Sequence, residues 1–260
     1  MIGLTILSVG VFAQTVEEAG AKYNEGNGAF NRKDYASAVT AYTQALDIAT
    51  QAGPDAEELK GKIEKQLTTS YLKQGVSIYK KDMDGAIATL DKGLAFATEI
   101  DDAKSVKKFK STIAQLRTKK GDQLRADGSA DAALAEYAIA LEMKPNYPKA
   151  YYGEGMVYKE TGELDMMMEK MDLAVKYSGD NEKLAKTVKA AKANAANALL
   201  VKAVEEFNAQ NFEDASKYIG LSTNYAPFGE GTMEIFNQIA DQAKDVPEMT
   251  DAITNAKSAL

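Results

Sequence analysis

The chain has 260 residues, a formal net charge of −7, and no cysteine, histidine or tryptophan. Without cysteine and histidine it can form no disulfide, no zinc site built on those residues and no histidine-based catalytic triad. Its acidic balance argues against nucleic-acid binding, which needs a basic surface to neutralise phosphates. No motif pairs catalytic groups either, so we expect no enzymatic activity, no catalytic residue, no metal and no cofactor.

The first thirteen residues, MIGLTILSVGVFA, carry no charge and end before Gln14. Val11 and Ala13 are small enough for the −3 and −1 subsites of a signal peptidase, and the stretch is too short to span a bilayer. Residues 1–13 are therefore predicted to be a signal peptide that lacks its basic n-region; the alternative is a buried first helix. We expect a soluble, periplasmic or otherwise exported bacterial protein that does not span the membrane. It would not be a lipoprotein, because no cysteine is present.

Two helices are predicted next. Thr15 and Glu18 have the spacing of a capping box, which predicts a helix from there to about Asn31. Asp34 is placed to cap a second helix, and Gly53 followed by proline ends this helical hairpin.

Residues 121–145 show the underlying pattern most fully. Gly121 lies in one predicted helix, and Ala133, Tyr137 and Ala140 share a face of the next at i, i+4 and i+7. The small residues let the two helices approach closely, the tyrosine fills the space beyond them, and Pro145 ends the pair.

The same positions recur in four other segments. They are Gly26, Ala38, Tyr42 and Ala45; Gly75, Ala86, Leu90 and Gly93; Gly155, Met167, Met171 and Ala174; and Ala203, Ala215, Ile219 and Ser222. This order of small, large and small residues resembles the tetratricopeptide repeat (TPR), a helix–turn–helix unit of about 34 residues. The resemblance covers most of residues 16–227, although no copy has the tryptophan often found in the first helix.

The resemblance implies an all-α, right-handed solenoid, because one such repeat cannot bury its apolar face alone. Residues 14–245 would form a single solenoid domain of about five repeats including a capping helix. Residues 246–260 would form a short C-terminal helix or tail.

The spacing of the repeats predicts several lengthened helices. Intervals between Ala38, Ala86, Ala133, Met167 and Ala215 are 48, 47, 34 and 48 residues. Three of them hold about thirteen or fourteen extra residues, close to four helical turns. Apolar residues continue at helical spacing through these insertions, so we expect them to extend the first helix of the following repeat.

Four methionines lie close together in the fourth repeat. Met167 and Met171 occupy packing positions and are predicted to fill the core. Met166 and Met168 point elsewhere, and could give an adaptable partner surface or a thioether copper site.

Family resemblance also implies that the first helices line a concave groove for a peptide or a partner helix. Asparagines can grip a peptide backbone and basic residues can hold a carboxylate, the alternative being an ordinary solvated helix face. The predicted groove residues are Tyr23, Asn24, Asn27, Asn31, Lys119, Arg125, Tyr152 and Lys159.

These features predict a non-enzymatic protein–protein interaction scaffold of the bacterial cell envelope, whose partner is another protein or a peptide. One alternative is capture of a small molecule or glycan, with tyrosines stacking on the ligand. Another is a self-assembling structural component, and the sequence assigns no oligomeric state.

Overall fold

A computed structural model describes residues 7–179 and 181–260, with side chains from Thr15 onward. The α-helices are α1 Leu7–Asn31, α2 Tyr35–Ala52, α3 Glu57–Ile78, α4 Met83–Glu99, α5 Ala103–Ala126, α6 Ala130–Met143, α7 Pro148–Thr161, α8 Leu164–Ser178, α9 Ala185–Asn208, α10 Phe212–Ser222, α11 Glu230–Gln242 and α12 Pro247–Ala259. Single 3-10 turns lie at Gly53–Ala56, Glu182–Leu184 and Thr223–Tyr225.

The chain is all-α, as predicted, and the described residues contain no strand. They form two compact units, one ending at Leu116 and the other beginning at Arg117. In the first unit α1, α2, α3 and α4 pack in sequence; in the second, α6 to α10 do so, with α11 against α9 and α12 against α10. Each unit therefore consists of helical hairpins whose neighbours in sequence are neighbours in space. The prediction of a single domain over residues 14–245 stays a prediction.

The predicted small–large–small positions form the cores of these hairpins. All of them are buried in the five repeats, from Ala38, Tyr42 and Ala45 to Ala215, Ile219 and Ser222. Close approach of the helices explains the glycines: a Cβ added to Gly26 would lie 2.5 Å from Cε1 of Tyr42. The repeat pattern read from the sequence is confirmed at these positions.

The lengthened helices are also confirmed. The helices α3, α5 and α9 have 22, 24 and 24 residues, whereas α6 and α7 have 14 each. Each long helix is the first helix of a repeat, as the spacing predicts. Because of this difference in length, parts of the longer first helices in the second unit are not covered by a shorter neighbouring helix.

The N-terminal prediction needs one correction. Because α1 begins at Leu7, Thr15 lies inside the helix and does not cap it. Residues 1–6 of the predicted signal peptide lie outside the described residues. By contrast, Asp34 caps α2 as predicted, since its Oδ1 accepts a hydrogen bond from the Ser37 N–H over 3.1 Å. Among the helices that the structure describes, none is long and apolar enough to cross a membrane.

The C-terminal helices cover the fifth repeat, as expected of end elements in a solenoid. Phe236 and Ile239 of α11 and Met249 of α12 are buried in one cluster with Ala215 and Ile219 of the repeat. The last helix, α12, for which the sequence predicts a short helix or tail, is therefore a helix docked on α10.

Met167 and Met171 of α8 follow the core prediction, whereas Met168, which was predicted to point elsewhere, also packs on the core. Met167 and Met171 are fully buried, and Met168 packs against the same cluster. Met166 lines a shallow surface depression with Tyr218 and Lys202.

Candidate functional site

Helix α9 lies between two shorter first helices, and they contact different halves of it. At 1.5 Å per residue its 24 residues span about 36 Å, against about 21 Å for the 14 residues of α7. Asn194, near the middle of α9, contacts Tyr152 and Lys159 of α7. Asn197, one turn later, contacts Thr232 near the start of α11. Thus α7 runs beside the N-terminal half of α9, and α11 beside the C-terminal half.

A row of polar contacts joins the first helices of the second unit. An ion pair links Arg125 of α5 to Glu160 of α7. The Lys159 ammonium donates to Asn194 Oδ1 over 2.7 Å, and the Thr232 hydroxyl donates to Asn197 Oδ1. In all three pairs the partners are 35 residues apart in the sequence. We call these six residues the polar row; they hold α5, α7, α9 and α11 side by side.

The charges at the α5 end of the polar row perturb one another. Burial alone would lower the pKa of Arg125, but the Glu160 carboxylate and hydrogen bonds raise that pKa above its usual value. Loss of hydration raises the pKa of the Asp122 carboxyl above its usual value. The hydrogen bond from Tyr137 offsets only part of this shift. Burial raises the pKa of the Tyr152 phenol, on which the charges of Arg125 and Asp122 act in opposite directions.

A cavity of about 500 Å³ lies beside the polar row, where the C-terminal half of α9 extends past the end of α7. Its lining combines apolar and polar side chains from three successive hairpins: Lys159, Gly162, Leu164, Asn197, Ala198, Val201, Lys202, Glu205 and Ile235. Val201, in the C-terminal half of α9, is 48% exposed, so the cavity presents apolar surface to solvent. We call this the first-helix cavity.

Three of the four predicted groove residues of the second unit fall on or next to this site. Arg125 and Lys159 belong to the polar row, and the Tyr152 hydroxyl accepts a hydrogen bond from Asn194 Nδ2 over 3.1 Å. Lys119 is exposed on α5. The side chains of Arg125, Tyr152 and Lys159 are thus engaged with neighbouring helices, and Lys159 also lines the first-helix cavity.

The predicted groove residues of the first unit lie on α1. The Tyr23 ring packs 5.7 Å from the Tyr42 ring, and Asn27 Oδ1 accepts a hydrogen bond from the Tyr42 hydroxyl over 2.7 Å. Asn24 and Asn31 are exposed. These four residues therefore divide into two that support the hairpin and two that face solvent.

Several residues of the site were not predicted from the sequence, above all Glu160, Asn194, Asn197 and Val201. A signal for the first three was present, because each stands 35 residues from a partner of complementary hydrogen-bonding character, close to one repeat length. Val201 had no such signal, since its exposure depends on where α7 ends.

No family model matches the chain, and no curated protein sequence matches it. Among solved structures, the TPR2AB domain of yeast Sti1, in its complex with pHSP90, is similar over 93% of this chain and 99% of that chain, with 14% identity and a TM-score of 0.31. The TPR domain of P58(IPK) is similar over 92% of this chain and 88% of that chain, with 14% identity and a TM-score of 0.29.

Proposed function

We propose that this chain is a non-enzymatic binding protein that captures an extended peptide segment of a partner protein on the first-helix face of its second unit. The observation that carries the proposal is the first-helix cavity, which half-exposed Val201 and Ile235 both line. Such a cavity accepts an apolar anchor side chain, whose burial contributes about 1.5–3 kcal/mol.

The polar groups around the cavity suit a peptide main chain. Lys159 and Asn197 line it, and both are already held in place by the polar row. Donors and acceptors fixed in this way lose little conformational entropy when a ligand binds. The free energy of binding a peptide is therefore reduced little by the ordering of these side chains. Lys119, on α5, carries a charge of the sign that suits an acidic residue or a terminal carboxylate of the partner.

The proposed location is the bacterial cell envelope, with the chain exported as a soluble protein that is neither lipid-anchored nor membrane-spanning. The uncharged stretch of residues 1–13 supports this location, and the absence of cysteine supports a form without a lipid anchor. The partner would then be another exported protein.

Cross-linking in intact source cells, followed by mass spectrometry, tests the proposal. We expect one dominant partner attached through Lys159 or Lys202 at the edge of the first-helix cavity. Val201→Asp puts a charge into the apolar part of the cavity and should lower the yield of this cross-link at least about fivefold, since an isolated buried charge is costly.

The matched control is Val76→Asp, because Val76 is 46% exposed on α3, in the other unit. It should leave the cross-link unchanged. Equal loss in both variants, or no loss in Val201→Asp, would exclude the cavity as the binding site. Cross-links only between copies of this chain would favour the self-assembling alternative.

A further inference from the structure

A second cavity lies on the opposite side of α9, along its N-terminal half, and has a volume of about 630 Å³. Ala185, Val188 and Ala193 of α9 line one wall, while Tyr225 and Phe228, between α10 and α11, line the other. We call it the α9 cavity. The first-helix cavity is formed at the other half of the helix, so the two can be altered independently.

The α9 cavity exists because α11 begins beside the middle of α9 and not beside its N-terminus. Thr232 of α11 is level with Asn197, so the turns of α9 before Ala193 have no first helix beside them on this side. From Ala185 to Ala193 the uncovered length is about 12 Å. The segment after α10 closes the far side: Tyr225 is buried, and its hydroxyl is engaged with Asp172. The α9 cavity is thus an apolar slot at the place where a regular array would put the next helix.

The ammonium groups of two lysines lie at this slot. Lys189 and Lys192 line it. Among the charged residues that the structure describes in the lining, Lys189 and Lys192 are basic and Glu182 is acidic, in a chain whose overall charge is −7.

The volume of the slot limits what can occupy it. A volume of about 630 Å³ lies inside the range of about 300–1,000 Å³ typical of small-molecule sites. A narrow apolar chain with an anionic head fits both the shape and the charge.

We propose that the α9 cavity binds a single-chain hydrophobic anion. Its apolar chain packs between Val188 and Ala193 on one side and Phe228 on the other. Lys189 and Lys192 hold its carboxylate or phosphate head. This site goes beyond the proposed peptide-binding function and does not depend on it.

Calorimetric titration of the full chain with decanoate, below its micelle concentration, is the first test. We expect saturable one-to-one binding that weakens as ionic strength rises, because salt screens exposed charges. Decanol, which has the same chain without the charge, should bind more weakly. No binding of decanoate, or equally tight binding of decanol, would overturn the proposal.

Variants of the lining sharpen the test. Lys189→Gln with Lys192→Gln should raise the dissociation constant about three- to thirtyfold, the range for two exposed charge contacts. Glu182→Gln should lower it, because a like charge is removed. Lys183→Gln with Lys186→Gln is the matched control and should change it little, since neither lysine lines the cavity.

Ala193→Phe fills the slot and should abolish decanoate binding while the helical circular dichroism is retained. Unchanged binding in this variant would overturn the proposal. So would a dimer of the unliganded chain that Ala193→Phe dissociates, since a second copy would then be the occupant. Titration with lysophosphatidylglycerol, which also has a single acyl chain, separates the sources: tighter binding than decanoate points to a lipid with a phosphate head, and weaker binding points to a free fatty acid.

Discussion

The ring of Tyr137 packs directly on the backbone of Gly121: a Cβ added to Gly121 would lie 2.6 Å from the Tyr137 Cε1 atom. The same ring contacts α7, where a Cβ on Gly153 would lie 2.4 Å from it. One tyrosine thus packs against glycines of two successive first helices and sets how closely they approach.

Gly121→Ala should therefore destabilise the protein. Overpacking a closed contact costs about 1–3 kcal/mol, which exceeds the gain of about 0.5–1 kcal/mol from replacing a helical glycine by alanine. Denaturant unfolding monitored by circular dichroism measures the difference. Gly61→Ala is the control: nothing lies within 4 Å of its added Cβ, so only the gain should appear. Equal shifts in both variants would show that Tyr137 moves aside without cost.

Ala133→Leu tests the packing face of α6. Ala133 is completely buried, so the larger side chain should cost about 1–3 kcal/mol of unfolding free energy. Ala132, its exposed neighbour, provides the matched control, and Ala132→Leu should leave the unfolding midpoint nearly unchanged. A stable Ala133→Leu variant would mean that the helices do not approach each other at this point.

Asn194→Ala should loosen the polar row. This substitution removes the acceptor of the Lys159 ammonium and the donor to Tyr152, at a cost of about 1–2 kcal/mol for partly buried hydrogen bonds. A double-mutant cycle with Lys159→Met isolates the direct contact. Additive effects would show that the two residues are not coupled. Asn224→Ala, at an exposed position, is the control.

Glu154 gives the protein a predictable dependence on pH. It is buried on α7, its Oε2 lies 3.8 Å from the Lys170 ammonium, and this oxygen finds no hydrogen-bond donor in the described part of the chain. Burial raises the pKa of this carboxyl above its usual value, and Lys170 opposes the shift. The folded state therefore binds the proton more tightly than the unfolded state. The ionised carboxylate lowers the free energy of unfolding, and this penalty is absent below the unfolded pKa. It grows as the pH rises through the folded pKa.

Glu154→Gln should consequently raise the thermal midpoint at pH 8 and change it little at pH 4. Lys170 keeps an ion-pair partner in this variant, since Glu169 Oε1 is 3.0 Å away. Glu213→Gln, at an exposed position, controls for the change in net charge. A lower midpoint at pH 8 would mean that the contact with Lys170 outweighs the cost of burial.

Part of the candidate site could be reached from the sequence. Arg125, Tyr152 and Lys159 followed from placing each repeat's first helix on a shared face, and the structure puts them in contacts between those helices. Their partners Glu160 and Asn194 could have been found by pairing polar residues one repeat apart.

The sequence by itself determined which residues each helix buries, because small and large side chains at fixed helical spacing allow only one face to pack closely. It also determined that three first helices are long. Only the tertiary structure decided how far each helix is displaced along its neighbour. That displacement arises from contacts between separate repeats, such as Lys159 with Asn194 and Thr232 with Asn197, which no local periodicity encodes. Both cavities result from it, since each lies where one half of α9 extends beyond a shorter helix.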